Sequence, residues 1–434
     1  MFKYVVTGIG IFSAVFAVLV FSGKLPIGQG NKEEKIVGNL TMWGTLPLEN
    51  VSPVLNQMNI DEKTYSITYE EIPEQKFQKV LVDALADGGG PDMILADYKT
   101  ILAEKRRLLL FPYTSFPVND FKNSYVDGAS IFLASDGILA FPVTIEPMMM
   151  FVNRDTLSKN TIATAPEYWD EILGIAPSIT GRDTSGKLIS YGVGLGTFSN
   201  VVHAKEIIMG LVRLLGQEPV VVDVNGVPSF IGNNPLTQDS VVLPLREGIK
   251  LFTQFSDPSK ESYSWNSFVG SSDKDAFTAG KLALYFGFSG EFKEIAQKNE
   301  RLNFYMSPFP LARGYPNKAN SMKMYGVAVM KRTPQNLVLT AYKAQSTLAN
   351  SKYSITVAAN TGKLSPIRSA ISANQDLDIG LRSSVLVSRG WYDIKESAST
   401  DLLKVAVDDI VSGKKTPSRS AEDFEVSLND IYAR

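Results

Sequence analysis

The stretch FQKVLVDALADGGGPDMILAD, residues 77–97, indicates the fold class of this chain. Its first half is apolar at helical spacing, on a face made of Phe77, Val80, Leu81, Ala84 and Leu85. The triplet Gly88–Gly90 ends that helix, because glycine accepts the left-handed conformation that follows a helix, and Pro91 prevents its continuation. The run 92–95 then predicts a short buried strand. A helix joined tightly to a strand is the repeating unit of a parallel sheet.

The same alternation extends outward from this stretch in both directions. Apolar patterning predicts strands at 35–42, 65–72, 282–286 and 325–330, and helices at 201–215 and 337–349. There is no internal repeat that would indicate a solenoid. A length of 434 residues is enough for two or three domains. We therefore predict an α/β fold with more than one domain.

Composition excludes several classes of function. The net charge is -2, and no basic run is dense enough to neutralise a nucleic-acid backbone, so we expect no nucleic-acid partner. The chain has no cysteine, which excludes disulfides, cysteine-ligated zinc and thiol nucleophiles. His203 is the only histidine, so a multi-histidine metal site is impossible. The triplet Gly88–Gly90 lacks the lysine and the spacing of nucleotide-binding loops, and we expect neither a metal nor a cofactor.

The N-terminal segment predicts a membrane anchor. Lys3 precedes an uncharged, mainly apolar stretch, 4–22, which is long enough to cross a hydrocarbon core of about 30 Å. This length favours an uncleaved transmembrane helix within residues 1–23, with the body of the protein on the extracytoplasmic face of the cell membrane. A signal peptide cleaved near Ser22, which would leave the protein secreted, is the alternative. Residues 24–35 are rich in glycine and charge and are interpreted as a tether.

Carboxylates stand at or just past the ends of predicted strands at three places. Asp92 comes directly after a proline and is expected to cap a turn. Asp97 and Glu146 are candidates for a ligand site, since ligands of open α/β sheets bind outside the carboxyl ends of the strands. Carboxylates accept hydrogen bonds from a polyol, and two of them also suit a glycosidase. The residues alone leave both alternatives open.

Tryptophans provide a second kind of candidate. Trp43 and Trp391 stand beside glycine in contexts typical of loops, where exposed aromatic faces can stack on sugar rings. Core packing is an equally good interpretation of either residue. Trp169 is interpreted as the structural anchor of a helix start, and the run 148–150 as part of a buried strand.

Eight short segments occur in an order that resembles one protein family. They are WGT at 43–45, LADGGGPDM at 85–93, the run 137–155, APEYWDE at 165–171, FTAGKLAL at 277–284, PFP at 308–310, YGVAV at 325–329 and GKLSPI at 362–367. Together they resemble the extracellular solute-binding proteins of bacterial ABC importers, in the family 1 group that includes maltose-binding protein. The resemblance extends from about residue 36 to the C terminus.

The resemblance implies a type II periplasmic-binding-protein fold with two lobes joined by hinge-crossing segments. Residues 36–146 and 308–365 would form the first lobe, and 147–307 and 366–434 the second. It implies a monomer without enzymatic activity. Such a protein captures a small solute, here expected to be a carbohydrate, between its lobes and delivers it to the permease subunits of an ABC importer.

Carried over residue by residue, the resemblance also implies a ligand site. In the first lobe it would comprise Trp43, Thr45, Asp97, Tyr98 and Glu146. In the second lobe it would comprise Phe198, Ser199, Phe288, Ser289 and Trp391. Many relatives have an aromatic residue where this chain has Gly290, so either Phe288 or Phe292 would replace it or the ligand would not be a typical sugar. The family's usual lipid-modified cysteine is also missing, which would make the segment 4–22 the membrane tether.

Two other functions remain compatible with the residues. One is a secreted glycoside hydrolase in which Asp97 and Glu146 form the acid–base pair. The other is a ligand-sensing ectodomain that acts through a partner signalling chain.

Overall fold

A computed structural model describes residues 38–223, 226–235 and 242–434 of the chain. The strands are β1 (Gly38–Gly44), β2 (Tyr65–Glu71), β3 (Met93–Asp97), β4 (Leu108–Leu109), β5 (Phe141–Asn153), β6 (Gly181–Arg182), β7 (Leu188–Val193), β8 (Val220–Val222), β9 (Pro228–Phe230), β10 (Leu282–Phe288), β11 (Phe304–Pro308), β12 (Asn320–Met330) and β13 (Ser388–Arg389). The predicted anchor at 1–23 and tether at 24–35 lie outside the described residues. Within those residues, no helix combines the length and the apolar character that crossing a membrane requires.

The helices alternate with the strands, as the sequence predicts. They are α1 (Leu48–Glu62), α2 (Glu74–Ala86), α3 (Tyr98–Ala103), α4 (Val118–Ser124), α5 (Arg154–Lys159), α6 (Trp169–Ile175), α7 (Ala204–Leu214), α8 (Pro244–Thr253), α9 (Asp273–Thr278), α10 (Glu291–Lys298), α11 (Val338–Leu348), α12 (Ser351–Asn360), α13 (Arg368–Ala373), α14 (Ile379–Val387), α15 (Glu396–Val411) and α16 (Pro417–Tyr432).

The described residues form two compact units. The first comprises 38–144, 325–361 and 365–370, and the second comprises the described parts of 145–324 together with 362–364 and 371–434. β5 and β12 each run from one unit into the other. The sequence-based division assigns 145–146 and 308–324 to the first lobe, whereas the structure groups them with the second unit. The reason is strand pairing, because β11 pairs with the second half of β5 and the start of β12 pairs with β13.

The first unit is built on a mainly parallel sheet with the order β2–β1–β3–β12. β1 is parallel to both β2 and β3, while β12 runs antiparallel to β3 and also pairs with β4. The side chains of Leu40, Met42, Ile94 and Leu95 are fully buried in its core. Because β1 and β3 are parallel, their carboxyl ends lie at the same edge of the sheet.

The stretch that predicts the fold class folds as expected. α2 is followed by Gly88 with φ +76, and the Gly89 amide donates to the Ala84 carbonyl at 2.8 Å. The left-handed conformation after the last helical residue is the one that glycine adopts most easily. β3 follows, with every residue buried. Helix, turn and strand are therefore confirmed in that order.

The second unit contains a mixed sheet with the order β11–β5–β10–β7–β6, and β8 and β9 form a separate hairpin. β5 is antiparallel to β10 and β11, while β10 is parallel to β7. All of β5 is buried, which confirms the buried strand predicted for the methionine run 148–150. Trp169 opens α6 and its ring lies 5.1 Å from that of Phe286, as expected of a structural tryptophan.

Candidate functional site

Predicted site residues of the first unit gather at one edge of its sheet. β1 and β3 are parallel neighbours, and Trp43 of β1 is in register with Ile94 of β3. The residues at and just after the carboxyl ends of these strands therefore lie together. Four of them belong to the predicted site: Trp43, Thr45, Asp97 and Tyr98. This is the edge at which open α/β sheets bind ligands.

The side chains at this edge are only partly open to solvent. The sequence places Trp43 in a loop, but the residue belongs to β1, because its backbone pairs with β2 on one side and β3 on the other; its ring is half-buried. The Thr45 hydroxyl is buried and has no hydrogen-bond partner among the described residues. Tyr98 is buried at the start of α3. The edge thus offers one aromatic face and one unused hydroxyl.

Two of the first-unit carboxylates have structural roles. Asp97 caps α3, with Oδ1 accepting a hydrogen bond from the Thr100 amide at 2.9 Å. Asp92, at the opposite end of β3, accepts from the amide and the hydroxyl of Thr41 at 2.9 and 3.0 Å. A capping carboxylate holds the first turn of its helix in place. Asp97 therefore fixes the backbone of the candidate edge.

Glu146 lies in the second unit, not in the first lobe to which the sequence assigns it. It is part of β5, almost completely buried, and it forms an ion pair with Lys363. Its Oε2 lies so close to Gly290 that a Cβ atom added to Gly290 would be 2.0 Å from this oxygen. In this chain a carboxylate, rather than a side chain of residue 290, fills that space. Lys363 is a neighbour that the sequence analysis missed, since 217 residues separate the pair.

A second group of predicted residues lies after β7 and β10 in the second unit. These strands are parallel neighbours, so their carboxyl ends also share an edge. After β7 come Phe198, half-buried, and Ser199, exposed. At the end of β10 and just after it come Phe288 and Ser289, which are buried, and the Ser289 hydroxyl has no hydrogen-bond partner among the described residues.

A charged network holds the segment after β10. The Glu291 carboxylate accepts hydrogen bonds from the Phe288 amide at 2.9 Å and the Tyr285 hydroxyl at 2.6 Å. It also contacts His203 Nε2 at 2.7 Å and Lys274 Nζ at 3.0 Å. Burial alone would raise the pKa of Glu291, but the two cationic neighbours outweigh burial and hold the pKa well below its usual range.

His203 packs against two members of this segment, Phe288 and Glu291. Its ring lies edge-on to that of Phe288 at 4.8 Å. Burial lowers the pKa of the imidazole, but the charge and hydrogen bond of Glu291 more than offset burial, so the pKa lies above its ordinary value. The network positions Phe288, and no local sequence motif marks it because its members come from distant elements.

Asp273, the first residue of α9, is the second ionisable group buried near this edge. Its Oδ1 accepts hydrogen bonds from the amides of Val202 and Lys274, both at 2.9 Å. Its Oδ2 is buried and has no partner among the described residues. Burial raises the pKa of this carboxyl to about 7. Part of the population is therefore uncharged at neutral pH.

Trp391 does not present a stacking surface. The residue lies between β13 and α15, as the loop prediction expects, but it is only 5% exposed and belongs to the core of the second unit. The Lys205 ammonium lies 4.6 Å from the ring centroid and Phe230 packs 6.1 Å away. Lys205 is in turn bonded to Asp393 at 2.9 Å. Phe292, the other aromatic considered, packs at 4.7 Å on Phe304.

The described part of the second unit also contains cavities away from the predicted site residues. Three cavities of the second unit have volumes of about 550, 690 and 440 Å³, and none of the predicted site residues lines them. Among the described residues, no group of three or more histidine, aspartate or glutamate side chains could hold a metal ion. The candidate site is thus defined by strand ends and by the loops that follow them.

Comparison with known proteins identifies the family to which this sequence is similar. The sequence model of the family described as "Bacterial extracellular solute-binding protein" matches residues 57–344. Among curated proteins, none gives a significant sequence match.

Solved structures share the fold at low sequence identity. A cyclic α-maltosyl-1,6-maltose binding protein from Arthrobacter globiformis superposes with a TM-score of 0.74 at 13% identity, covering 91% of this chain and 98% of its own. An ABC substrate-binding protein from Listeria monocytogenes, in complex with cycloalternan, gives 0.68 at 13%, covering 91% and 99%. The maltose/maltodextrin-binding domain from Bdellovibrio bacteriovorus, bound to maltotriose, gives 0.66 at 13%, covering 91% and 100%. The likeness shows a mixed α/β, two-lobe fold.

Proposed function

The chain belongs to the bacterial extracellular solute-binding proteins, and from this membership we propose that it captures a saccharide between its two lobes and delivers it to an ABC importer. The observation that carries the proposal is the family match over residues 57–344. Family membership also decides between a binding protein and a glycoside hydrolase, which the residues alone leave open, because this family consists of binding proteins and not of hydrolases. Asp97 and Glu146 agree with that answer, since one caps a helix and the other is ion-paired.

A saccharide is the solute class that the similar structures favour. The protein from Arthrobacter globiformis is named for a cyclic maltosyl-maltose, and those from Listeria monocytogenes and Bdellovibrio bacteriovorus hold cycloalternan and maltotriose. The chemistry of the candidate edges agrees with this class. Each edge combines an aromatic side chain with a hydroxyl, at Thr45 or at Ser289, that has no hydrogen-bond partner in the part of the chain that the structure describes. The aromatic side chain can pack on the apolar face of a sugar ring, and the hydroxyl can form hydrogen bonds with the sugar hydroxyls around that face.

The proposed contacts divide between the two units. In the first unit they come from Trp43, Thr45, Asp97 and Tyr98. In the second they come from Glu146, Phe198, Ser199, Phe288 and Ser289. Trp391 is left out because Lys205 and Phe230 already cover its ring. Saccharide would favour the closed form of the protein through contacts that only that form makes.

The proposed place of action is the extracytoplasmic face of the cell membrane. Family membership supports that side of the membrane. The apolar stretch 4–22 would hold the protein there, near the permease subunits of its importer, at high effective concentration. Binding and delivery would need only one copy of the chain.

Thermal unfolding in the presence of saccharides tests the proposal. A true ligand at about 100 times its Kd adds about 2.7 kcal/mol to the free energy of unfolding. We expect at least one of maltotriose, cycloalternan and cyclic maltosyl-maltose to raise the Tm, and chromatography to recover it unchanged. Phosphate and free amino acids serve as controls. Flat melting curves with all saccharides would overturn the carbohydrate assignment, and cleavage of the sugar would overturn the binding-protein assignment.

A pair of variants links the response to the candidate edge. Trp43→Ala should weaken saccharide binding about fivefold, since an aromatic ring that stacks on a sugar contributes on the order of 1 kcal/mol. Ile60→Ala, at a residue that is 65% exposed on α1, is the matched control and should bind normally. Equal affinities of the two variants would remove Trp43 from the site.

A further inference from the structure

Phe268 stands out because its side chain is almost entirely in water. It is 93% exposed, more than any other large hydrophobic residue in the part of the chain that the structure describes. Burial removes the apolar surface of a phenylalanine from water and so stabilises a protein, and Phe268 does not gain that stabilisation. Single exposed hydrophobic residues are common, so exposure alone does not identify a function. The surroundings of Phe268 supply the further observations.

The turn that carries Phe268 is held in a defined conformation. Ser267–Val269 form one turn of 3-10 helix, and Asn266 caps it by accepting a hydrogen bond from the Phe268 amide at 2.9 Å. The Asn266 amide group also donates to the Tyr263 hydroxyl at 2.6 Å. Gly270, with φ +75, ends the turn. The exposed ring is therefore presented by a braced backbone.

The same turn is tied to the loop that carries two proposed contact residues. Asn200 donates from Nδ2 to the Asn266 carbonyl at 2.9 Å, and its Oδ1 accepts from Trp265 Nε1 at 2.9 Å. Asn200 directly follows Phe198 and Ser199, in the loop after β7. Phe268 thus belongs to the carboxyl edge of the β7–β10 pair, the candidate edge of the second unit.

We infer that Phe268 is a ligand-contacting residue that stacks on the apolar face of a sugar ring. The inference rests on the proposed saccharide-binding function. At this edge the other proposed aromatic contacts are covered, Phe288 being 6% exposed and Phe198 half-buried. Phe268 supplies the open aromatic face that the sequence analysis assigned to Trp391.

The residues around Phe268 favour a sugar over a protein partner. A protein-docking surface is a contiguous apolar patch, whereas the neighbours of Phe268 in sequence are Ser267 and Val269, and Val269 is partly buried against the core. An isolated ring with polar groups around it matches a sugar, whose apolar face is surrounded by hydroxyls.

Isothermal titration of the full chain with maltotriose, cycloalternan and cyclic maltosyl-maltose tests the inference. We expect Phe268→Ala to raise the Kd of the bound saccharide about tenfold and Phe268→Tyr, which keeps the ring, to leave it within about twofold. The Tm of both variants without saccharide should equal that of the wild type, because the ring makes no core contact. Ile379→Ala, at a residue that is 81% exposed on α14, is the matched control and should keep the wild-type Kd.

The outcomes separate this inference from the proposed function. If the wild type binds a saccharide and Phe268→Ala binds it equally well, Phe268 is not a contact and this inference alone falls. If the wild type binds none of the saccharides, both fall. Loss of self-association or of uptake in Phe268→Ala, with saccharide affinity unchanged, would assign the residue to a protein interface and would also overturn the inference.

Discussion

At the scale of single residues, Gly290 shows how one side chain fixes the identity of another. Gly290 has φ -63 and ψ -19, which any residue can adopt, so its backbone does not require glycine. The requirement is steric, because a Cβ would lie 2.0 Å from Glu146 Oε2 and 2.8 Å from its Cδ. The carboxylate cannot withdraw freely, since Lys363 holds its other oxygen.

We therefore expect Gly290→Ala to destabilise the protein by about 1 to 3 kcal/mol, the usual cost of overpacking a buried site. The same substitution in a Glu146→Ala background should cost little, because the atoms that clash are gone. Thermal unfolding of the wild type, both single variants and the double variant measures the coupling. An equal cost of Gly290→Ala in both backgrounds would contradict the steric explanation.

At the scale of secondary-structure elements, the two glycines that follow α2 show why this helix ends where it does. Gly88 has φ +76 and nothing within 4 Å of an added Cβ, so an alanine there would suffer from backbone strain alone. Gly89 has no left-handed φ, and its nearest neighbour to an added Cβ is the Ala84 carbonyl oxygen at 3.4 Å. The two adjacent glycines thus differ in backbone conformation, since only Gly88 is left-handed.

Gly88→Ala should lower the free energy of unfolding by about 1 to 2 kcal/mol, the cost of a left-handed conformation with a Cβ. Gly89→Ala is the matched control and should be neutral, or stabilise by a few tenths of a kcal/mol through the unfolded chain. Thermal melts of both variants, measured side by side, give the comparison. Equal effects would show that left-handed geometry does not determine this helix end.

The elements were largely predictable from sequence, while the environments of the site residues were not. The helical spacing of apolar residues and the glycines at helix ends predict α2 and α7, and short apolar runs predict β3 and β10. These elements are predictable because the signals are local in sequence. The burial of Trp391 depends on Lys205, whose own partner Asp393 is 188 residues away in sequence. Phe268 carries no signal of its own, since it lies in a turn without periodicity. Exposure is a tertiary property, and local patterns do not contain it.

At the scale of the whole molecule, three groups at the second-unit edge make stability depend on pH. The pKa of Asp273 rises from about 4 in the unfolded chain to about 7 in the folded one, because burial disfavours its charged form. Its contribution is thus fully present below about pH 4 and is lost as pH rises through about 7. His203, whose folded pKa is also raised, acts in the same direction at higher pH. Glu291, with a lowered pKa, acts oppositely at acidic pH.

Asp273→Asn should isolate the first of these contributions. The amide oxygen keeps an acceptor for Val202 and Lys274, but the side chain no longer titrates. The Tm of the variant relative to the wild type should therefore increase from pH 5 to about pH 7 and level off by pH 8, since below the folded pKa the wild type loses up to about 1.4 kcal/mol per pH unit that the variant keeps. His203 and Glu291 are present in both proteins, so the difference reports Asp273 together with its electrostatic coupling to these two neighbours. Asp275→Asn, at an exposed position of the same helix, is the control and should show a constant difference across that range. A constant difference for Asp273→Asn as well would mean that Asp273 is charged in the folded protein throughout.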